Sequence, residues 1–344
     1  MNKPLRVAIN GFGRIGRSFF RVAHEREGII IVAINDLANL DNLAYLLRYD
    51  TSQGKVDFQI KVKDEKTLVV DDVEVAYFSE QDPSNLPWDE LDVDVVVEST
   101  GIFTKYESAK AHLDAGAKRV VISAPVKDDP LPGLAGDTVL LGVNEEKLKT
   151  CLITSNASCT TNAGSPVIEI MRESVGIEKA LLNTVHGYTA SQSLVDSPNK
   201  KDWRRGRAAA QNIVPSSTGA AIATTKAITE LAGKFDGIAF RVPVVAGSIV
   251  DITFVSKRDT SADEINEIFK KAASDTRWSD VLAVNAEPIV SSDIIGSRFA
   301  SIVDLSYTRV VDGNLCKVVA WYDNEIGYTN TLVRHVEKLG AHIG

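Results

Sequence analysis

The chain has 344 residues, more than one ordinary hydrophobic core organises, so two domains are expected. With 44% hydrophobic and 24% charged residues the composition is globular, and a formal net charge of -8 argues against non-specific nucleic-acid binding, which needs a basic surface to displace counterions. No apolar run approaches the roughly 20 residues of a membrane helix, and three cysteines (Cys151, Cys159 and Cys316) make no disulfide framework for a chain of this length. Met1–Arg6 runs straight into a strand-like segment and leaves no room for a signal peptide, so a cytoplasmic protein is the expectation.

The first strand, Arg6–Asn10 (RVAIN), is followed at once by Gly11-Phe12-Gly13-Arg14-Ile15-Gly16 and an apolar helix over Arg17–Ala23. Further strands are predicted at Ile29–Asn35, Val93–Val97, Arg119–Ser123 and Thr138–Val143, with a helix at Lys105–Ala115 that ends at Gly116. Nearly continuous apolar strands separated by helices indicate a parallel sheet covered on both faces. Asp128–Asp137 (DDPLPGLAGD) reads as an exposed loop.

After about residue 158 the pattern changes. A helix over Ala163–Val175 is followed by longer runs at Ala180–Thr189, Gly237–Val244, Gly247–Arg258, Phe299–Val311 and Leu315–Tyr322. Their alternation suits a mainly antiparallel sheet with one buried face. Ser261–Ser274 opens on a capping box, Ser261 to Glu264, and Thr329–Leu339 reads as an amphipathic helix that docks back on the first domain. The fold expected is α/β: a Rossmann-type doubly wound domain over 1–158, completed by the C-terminal helix 322–344, and an α+β catalytic domain over 159–321 with a mainly antiparallel sheet.

The glycine run has the order strand, turn, helix that lets a pyrophosphate sit on a helix N-terminus. Asp36 lies 20 residues beyond Gly16 at the end of the second strand. A carboxylate there accepts hydrogen bonds from adenosine ribose hydroxyls and repels the extra phosphate of NADP. A Rossmann domain holding another nucleotide, or none, is the alternative.

Ser155-Asn156-Ala157-Ser158-Cys159-Thr160-Thr161-Asn162 ends a strand and opens a helix. A thiol at a helix N-terminus feels the positive end of the macrodipole, and the N–H groups there suit an oxyanion. Cys151 and Cys316 sit in apolar runs and read as packing. His186, in Thr184-Val185-His186-Gly187, ends a strand and comes close to Cys159 if neighbouring strands pair, where an imidazole activates the thiol. For a single His a satisfied core residue is the competing reading. His24, His112, His335 and His342 read as surface or capping residues, and no spacing suggests a metal site.

Taken together, Ile9–Arg17 (INGFGRIGR), Ser155–Asn162 (SNASCTTN), Ser217–Ala221 (STGAA), Arg241-Val242-Pro243 and Trp321–Tyr328 (WYDNEIGY) resemble the phosphorylating glyceraldehyde-3-phosphate dehydrogenase family over essentially the whole chain. The resemblance implies NAD-dependent oxidation and phosphorylation of glyceraldehyde 3-phosphate to 1,3-bisphosphoglycerate, through a hemithioacetal and a thioester on Cys159 with His186 as base. It assigns the substrate phosphate to Thr189, Arg205 and Arg241. Attacking inorganic phosphate falls to Ser158, Thr160, Thr218 and Gly219. NAD falls to Gly11, Gly13, Arg14, Ile15, Asp36, Gln81, Ser123 and Asn324, with Asn324 on the nicotinamide carboxamide and Tyr328 either behind the ring or a core residue.

Some positions depart from the family pattern. Gln81 stands where an arginine is common, which removes a cationic contact near the adenosine end and weakens the case for NADP. Leu37 and Pro198 fit the NAD-preferring pattern, whereas Ser197 replaces a commoner leucine or glycine. The rivals are an erythrose-4-phosphate dehydrogenase, disfavoured by Thr189, and a binding or regulatory protein on the same scaffold, disfavoured by the presence of both Cys159 and His186. Thr189–Arg207 corresponds to a family loop at subunit contacts, so the resemblance also implies a homotetramer.

Overall fold

In the computed structural model, which describes residues 3–343, two compact units divide the chain. The first comprises Met1–Val139, Glu145–Ala157 and Thr329–Gly344; the second comprises Leu140–Asn144 and Ser158–Tyr328. Met1, Asn2 and Gly344, which the expected domain bounds include, lie outside the described residues.

Valine and isoleucine runs make the first unit's sheet, because branched side chains pack well on a pleated surface buried on both faces. Its strand order is Gly136–Thr138, Ile153–Ser155, Arg119–Ile122, Val95–Glu98, Leu5–Asn10, Ile29–Asn35, Val73–Phe78, Thr67–Val70 and Ile60–Asp64. Pairing is parallel as far as Val73–Phe78, and the last two strands add antiparallel. The chain starts in the middle, at Leu5–Asn10, and moves to Ile29–Asn35 on one side and Val95–Glu98 on the other. That reversal opens a crevice at the carboxyl ends, where doubly wound sheets hold ligands. Gly11 leaves the central strand into it.

The predicted strand at Thr138–Val143 is shorter and earlier, Gly136–Thr138. The Lys105–Ala115 helix is observed as Tyr106–Asp114. Its cap comes from the Asp128–Asp137 loop: the Asp128 carboxylate accepts from Tyr106 N at 2.8 Å and Glu107 N at 3.2 Å. Lys105, at the N-cap position, has no side-chain oxygen to offer, so Tyr106 N is capped from 22 residues downstream of it.

Two histidines read as surface or capping residues are fully buried. His112 takes the Trp88 indole N–H at 3.0 Å on Nδ1 and meets Glu98 at 3.1 Å through Nε2. His335 lies against Thr154 at 2.7 Å and Asn156 at 3.2 Å. Each faces inward from its helix with a polar partner waiting, and that is what lets it leave water. The last helix, Ile326–Gly340, is buried along nearly all its length rather than on one face. It starts later than 322 because Tyr322 belongs to a strand and Asp323 caps the N–H groups of Glu325 and Ile326 at 2.8 and 3.1 Å.

In the second unit the strand order is Val214–Ser217, Phe235–Val242, Ile177–Gly187, Ser248–Ser256, Leu315–Tyr322, Ser301–Asp304 and Leu282–Asn285, with Arg309–Val311 paired separately to Leu315–Tyr322. Pairing is antiparallel except between Ile177–Gly187 and Phe235–Val242, and between Leu282–Asn285 and Ser301–Asp304. Ser248–Ser256 alternates strictly, turning Val250, Ile252 and Phe254 into a core shared with Val167, Ile168 and Met171 of the Cys159–Ser174 helix. The expected single run at Phe299–Val311 is interrupted, because Asp304 accepts from Ser306 N at 3.1 Å and Trp321 Nε1 at 3.0 Å and turns the chain. No helix among the described residues is long and apolar enough to cross a membrane.

Replacing Asp128 with alanine removes the helix cap and is expected to cost about 1 kcal/mol of stability. Urea unfolding checks this; an unchanged midpoint shows that the Asp128–Asp137 loop does not hold the helix.

Candidate active site

The candidate nucleophile is placed by backbone geometry. Ser155 ends a strand, Ala157 takes a left-handed φ of 54°, and Cys159 is the first residue of a helix running to Ser174. A left-handed alanine costs on the order of 1 kcal/mol. The Ser155 hydroxyl offsets this by accepting from Ala157 N at 3.0 Å while donating to Ala124 O at 2.7 Å. Ser158 is the N-cap, its Oγ accepting from Thr161 N at 3.1 Å, and the first turn holds no acidic residue. The thiol therefore meets the uncompensated positive end of the helix.

His186 comes from the end of the Ile177–Gly187 strand and puts Nε2 3.3 Å from Cys159 Sγ. Arg241 is its direct neighbour on the parallel strand Phe235–Val242, with Nη1 2.7 Å from His186 Nδ1. The Gly187 carbonyl lies 2.6 Å from the same nitrogen. Tyr322 closes the far side. Its ring meets the His186 ring edge-on at 5.8 Å, and its hydroxyl bonds Thr160 Oγ1 at 3.0 Å and Thr184 Oγ1 at 2.8 Å. Burial pushes the Cys159 thiol up, an effect that the Arg241 charge and contacts with Thr160 oppose. Burial, reinforced by Arg241, brings His186 down to about 3.

The oxyanion-binding candidates divide by their present partners. Arg205 is half-buried, with Nη2 3.3 Å from Ser217 O and Nε without a hydrogen-bond partner. Thr189 is half-buried and shares a hydrogen bond with Ser191 at 3.0 Å. Thr218 accepts from Ala220 N at 3.2 Å, and Gly219 begins the Ala220–Ala227 helix with open space where a side chain would be. Ser158 and Thr160 have hydroxyls already engaged, with Thr161 and with Tyr322. Asn324 is buried, and its Oδ1 accepts from Gly247 N and Ser248 Oγ, both at 3.1 Å, which orients the amino group. Tyr322 and Thr184 carry no signal of their own in a single sequence; Tyr322 only falls inside the WYDNEIGY segment.

In the first unit the glycine turn is built for close approach. Gly11 has φ of 93°, and a Cβ there would lie 2.6 Å from Thr100 N; one on Gly16 would lie 2.2 Å from Gly11 O. Gly13, by contrast, faces open space at the N-cap of Arg14–His24, a helix start with neither side-chain cap nor acidic residue. Those features leave a cradle for a pyrophosphate. The Asp36 carboxylate accepts from Phe12 N at 2.7 Å and Ala38 N at 3.0 Å, which pins it beside the turn. Arg14 is held by Asp50 through both guanidinium nitrogens, at 2.5 and 3.3 Å. Ile15 and Ser123 are half-buried, and Gln81 is exposed. Arg17, which no sequence argument singled out, donates to Phe12 O at 2.7 Å from a buried position and braces the turn. These residues fit a dinucleotide.

Two family models match the chain: "Glyceraldehyde 3-phosphate dehydrogenase, NAD binding domain" over residues 5–106, and "Glyceraldehyde 3-phosphate dehydrogenase, C-terminal domain" over residues 158–324. Glyceraldehyde-3-phosphate dehydrogenase 1 of Kluyveromyces lactis is 46% identical over 97% of this chain and 99% of its own length. The Streptomyces coelicolor enzyme of that name is 46% identical over 96% of each chain, and the Geobacillus stearothermophilus one 45% over 96% of each.

Arg241 lowers the proton affinity of the thiol, so its loss must raise the thiol pKa. In Arg241→Met the pH midpoint of Cys159 alkylation by iodoacetamide is expected to move up. A midpoint that stays or falls contradicts the electrostatic role.

Proposed function

The chain belongs to the glyceraldehyde-3-phosphate dehydrogenase family, and from that premise we propose that Cys159 and His186 carry its NAD-dependent oxidation of glyceraldehyde 3-phosphate to an acyl phosphate. The observation that carries the reading is the 3.3 Å contact between a helix-terminal thiol and a strand-end imidazole, with Arg241 beside them.

Cys159 Sγ attacks the aldehyde carbon as His186 Nε2 takes the thiol proton. The resulting hemithioacetal oxygen is stabilised by the imidazolium and by N–H groups at the helix start. NAD, when bound, supplies the acceptor for the hydride that leaves this carbon, and a thioester is left on Cys159. Inorganic phosphate then attacks the thioester carbonyl; the sulfur leaves as thiolate and 1,3-bisphosphoglycerate is released. Arg241, Arg205 and Thr189 hold the substrate's phosphate, where a guanidinium fork matches phosphate oxygens. Thr218 and Gly219 offer a hydroxyl and an open helix N-terminus to the attacking phosphate, with Ser158 and Thr160 beside the thiol.

Gly11, Gly13, Arg14, Ile15, Gln81 and Ser123 line the dinucleotide, Asp36 takes the ribose hydroxyls, and Asn324 meets the carboxamide. The Thr189–Arg207 segment exposes Leu194, Val195 and Trp203, which favours burial between subunits of a homotetramer. A cytoplasmic location completes the reading.

Purified protein given glyceraldehyde 3-phosphate is expected to reduce NAD steadily only when inorganic phosphate is present. Turnover without phosphate, or faster turnover with erythrose 4-phosphate, points to thioester hydrolysis instead. Cys159→Ser is expected to lose at least about 10³-fold in kcat while still binding NAD; residual activity near wild type excludes a thioester. Asp36→Gly is expected to weaken discrimination against NADP, and an unchanged kcat/KM ratio for the two cofactors removes Asp36 as the selector.

A further inference from the structure

The buried Ser248 hydroxyl has one proton and two polar neighbours, and the neighbours decide where that proton goes. Gly187 N, 3.2 Å away, is a backbone N–H and only donates, so Ser248 Oγ accepts from it. The hydroxyl proton is then left for Asn324 Oδ1, 3.1 Å away. Gly247 N donates to the same Oδ1 at 3.1 Å. Two donors on one atom fix which end of the Asn324 amide is its oxygen. The amino group donates to none of the described residues and is the end left for a ligand.

Both donors are held in place by the backbone. Gly247 takes φ of 86°, and a Cβ there would lie 2.4 Å from Ser291 O, so its N–H direction belongs to a turn that a side chain would obstruct. Ser248 opens the Ser248–Ser256 strand, between the strand that ends at Gly187 and the one that carries Tyr322. Asn324 follows Asp323, whose carboxylate accepts from Gly296 N at 2.7 Å and from Glu325 N at 2.8 Å and so braces the backbone on either side. A reversed Asn324 amide would set its amino group against the Gly247 N–H and leave the Ser248 proton without its acceptor.

We propose that Ser248 is the positioning residue of the nicotinamide site: its hydroxyl holds the Asn324 oxygen inward, so that Asn324 offers an amino group to a carbonyl oxygen on the pyridine ring of the cofactor. This rests on the reading above that Asn324 meets the carboxamide. The site then reads a hydrogen-bond acceptor on the ring substituent, and a dinucleotide without a carbonyl there gains nothing from Asn324. Because the same hydroxyl accepts from the residue that follows His186, the ring of the hydride acceptor and the acid–base residue take their places from one buried atom. Ser248 touches neither substrate nor cofactor and acts through Asn324.

The test is titration calorimetry of the full chain with NAD and with ADP-ribose, which keeps the adenosine and pyrophosphate and lacks the pyridine ring. Ser248→Ala is expected to weaken NAD about fivefold, the effect of one net hydrogen bond, and to leave ADP-ribose unchanged. Ser248→Thr, which keeps the hydroxyl, is expected to restore NAD binding. Ser248→Cys keeps the size but donates weakly, and is expected to behave as the alanine variant does, so the test survives a failure of that variant to fold. In Asn324→Ala, which itself weakens NAD, adding Ser248→Ala is expected to cost nothing more, because the two residues act as a unit. Asn324→Asp replaces the amino group by an oxygen. It is expected to lose the 3-acetylpyridine analogue of NAD more than NAD, whose carboxamide can turn its own amino group to that oxygen. An equal loss of ADP-ribose in Ser248→Ala, an additive double variant, or an unchanged preference in Asn324→Asp overturns the proposal. With Asn324→Ala weakened and Ser248→Ala unchanged, the role of Ser248 fails alone; with Asn324→Ala binding NAD as the wild type does, the reading of Asn324 fails as well.

Discussion

The site depends on holding one backbone turn in a conformation that its residues do not prefer. Ala157 is left-handed at φ of 54°, and that single reversal converts the end of the Ile153–Ser155 strand into the start of the Cys159–Ser174 helix. The cost is met locally by the Ser155 hydroxyl and by the Ser158 cap. Beside Ser155, the buried His335 contacts Thr154 and Asn156 and keeps the preceding residues in place. The thiol at the head of a 16-residue helix then has its direction set before any ligand arrives.

Around that thiol the chain arranges a guanidinium and hydroxyls, and among the described residues no carboxylate is hydrogen-bonded to His186. The ring instead has a guanidinium on one side and a carbonyl on the same nitrogen, and both burial and the guanidinium resist charging it. The thiol and the ring form one hydrogen-bonded pair, 3.3 Å apart. It suits a chemistry in which the proton must move at one moment and the developing oxyanion must then be held. Tyr322 contributes by fixing Thr160 and Thr184, on a helix and on a strand, to one phenol.

The dinucleotide turn shows the same economy. Gly11 and Gly16 are required because backbone atoms of Thr100 and of Gly11 itself occupy the space of a side chain, whereas Gly13 leaves its side open. Beneath it, Glu98 joins Asn10, Thr100 N and His112 in one buried network, so the floor of the crevice is hydrogen-bonded to the strand that carries the turn. Arg17 and Asp36 hold Phe12 from its carbonyl and its amide.

Much of this was legible in the chain itself. Local order is written in local pattern: apolar runs marked the parallel strands, the Ser261–Glu264 box marked a helix start, and the Gly11–Gly16 and Ser155–Asn162 segments marked a tight turn and a second helix start, since turns and caps are decided by residues a few positions apart. What stayed hidden are contacts between segments far apart in the chain. The cap from Asp128 to Tyr106, the burial of His112 and His335, and the break in Phe299–Val311 imposed by Asp304 each depend on a partner that periodicity cannot locate. The neighbours of His186 belong to the same class. Arg241 follows it by 55 residues, and only the pairing of two strands in register sets a guanidinium against the imidazole nitrogen. The sequence by itself determined the residue types, the turns and the order of the elements; the tertiary structure alone decided which polar groups meet out of water, because that depends on strand register and burial rather than on spacing along the chain.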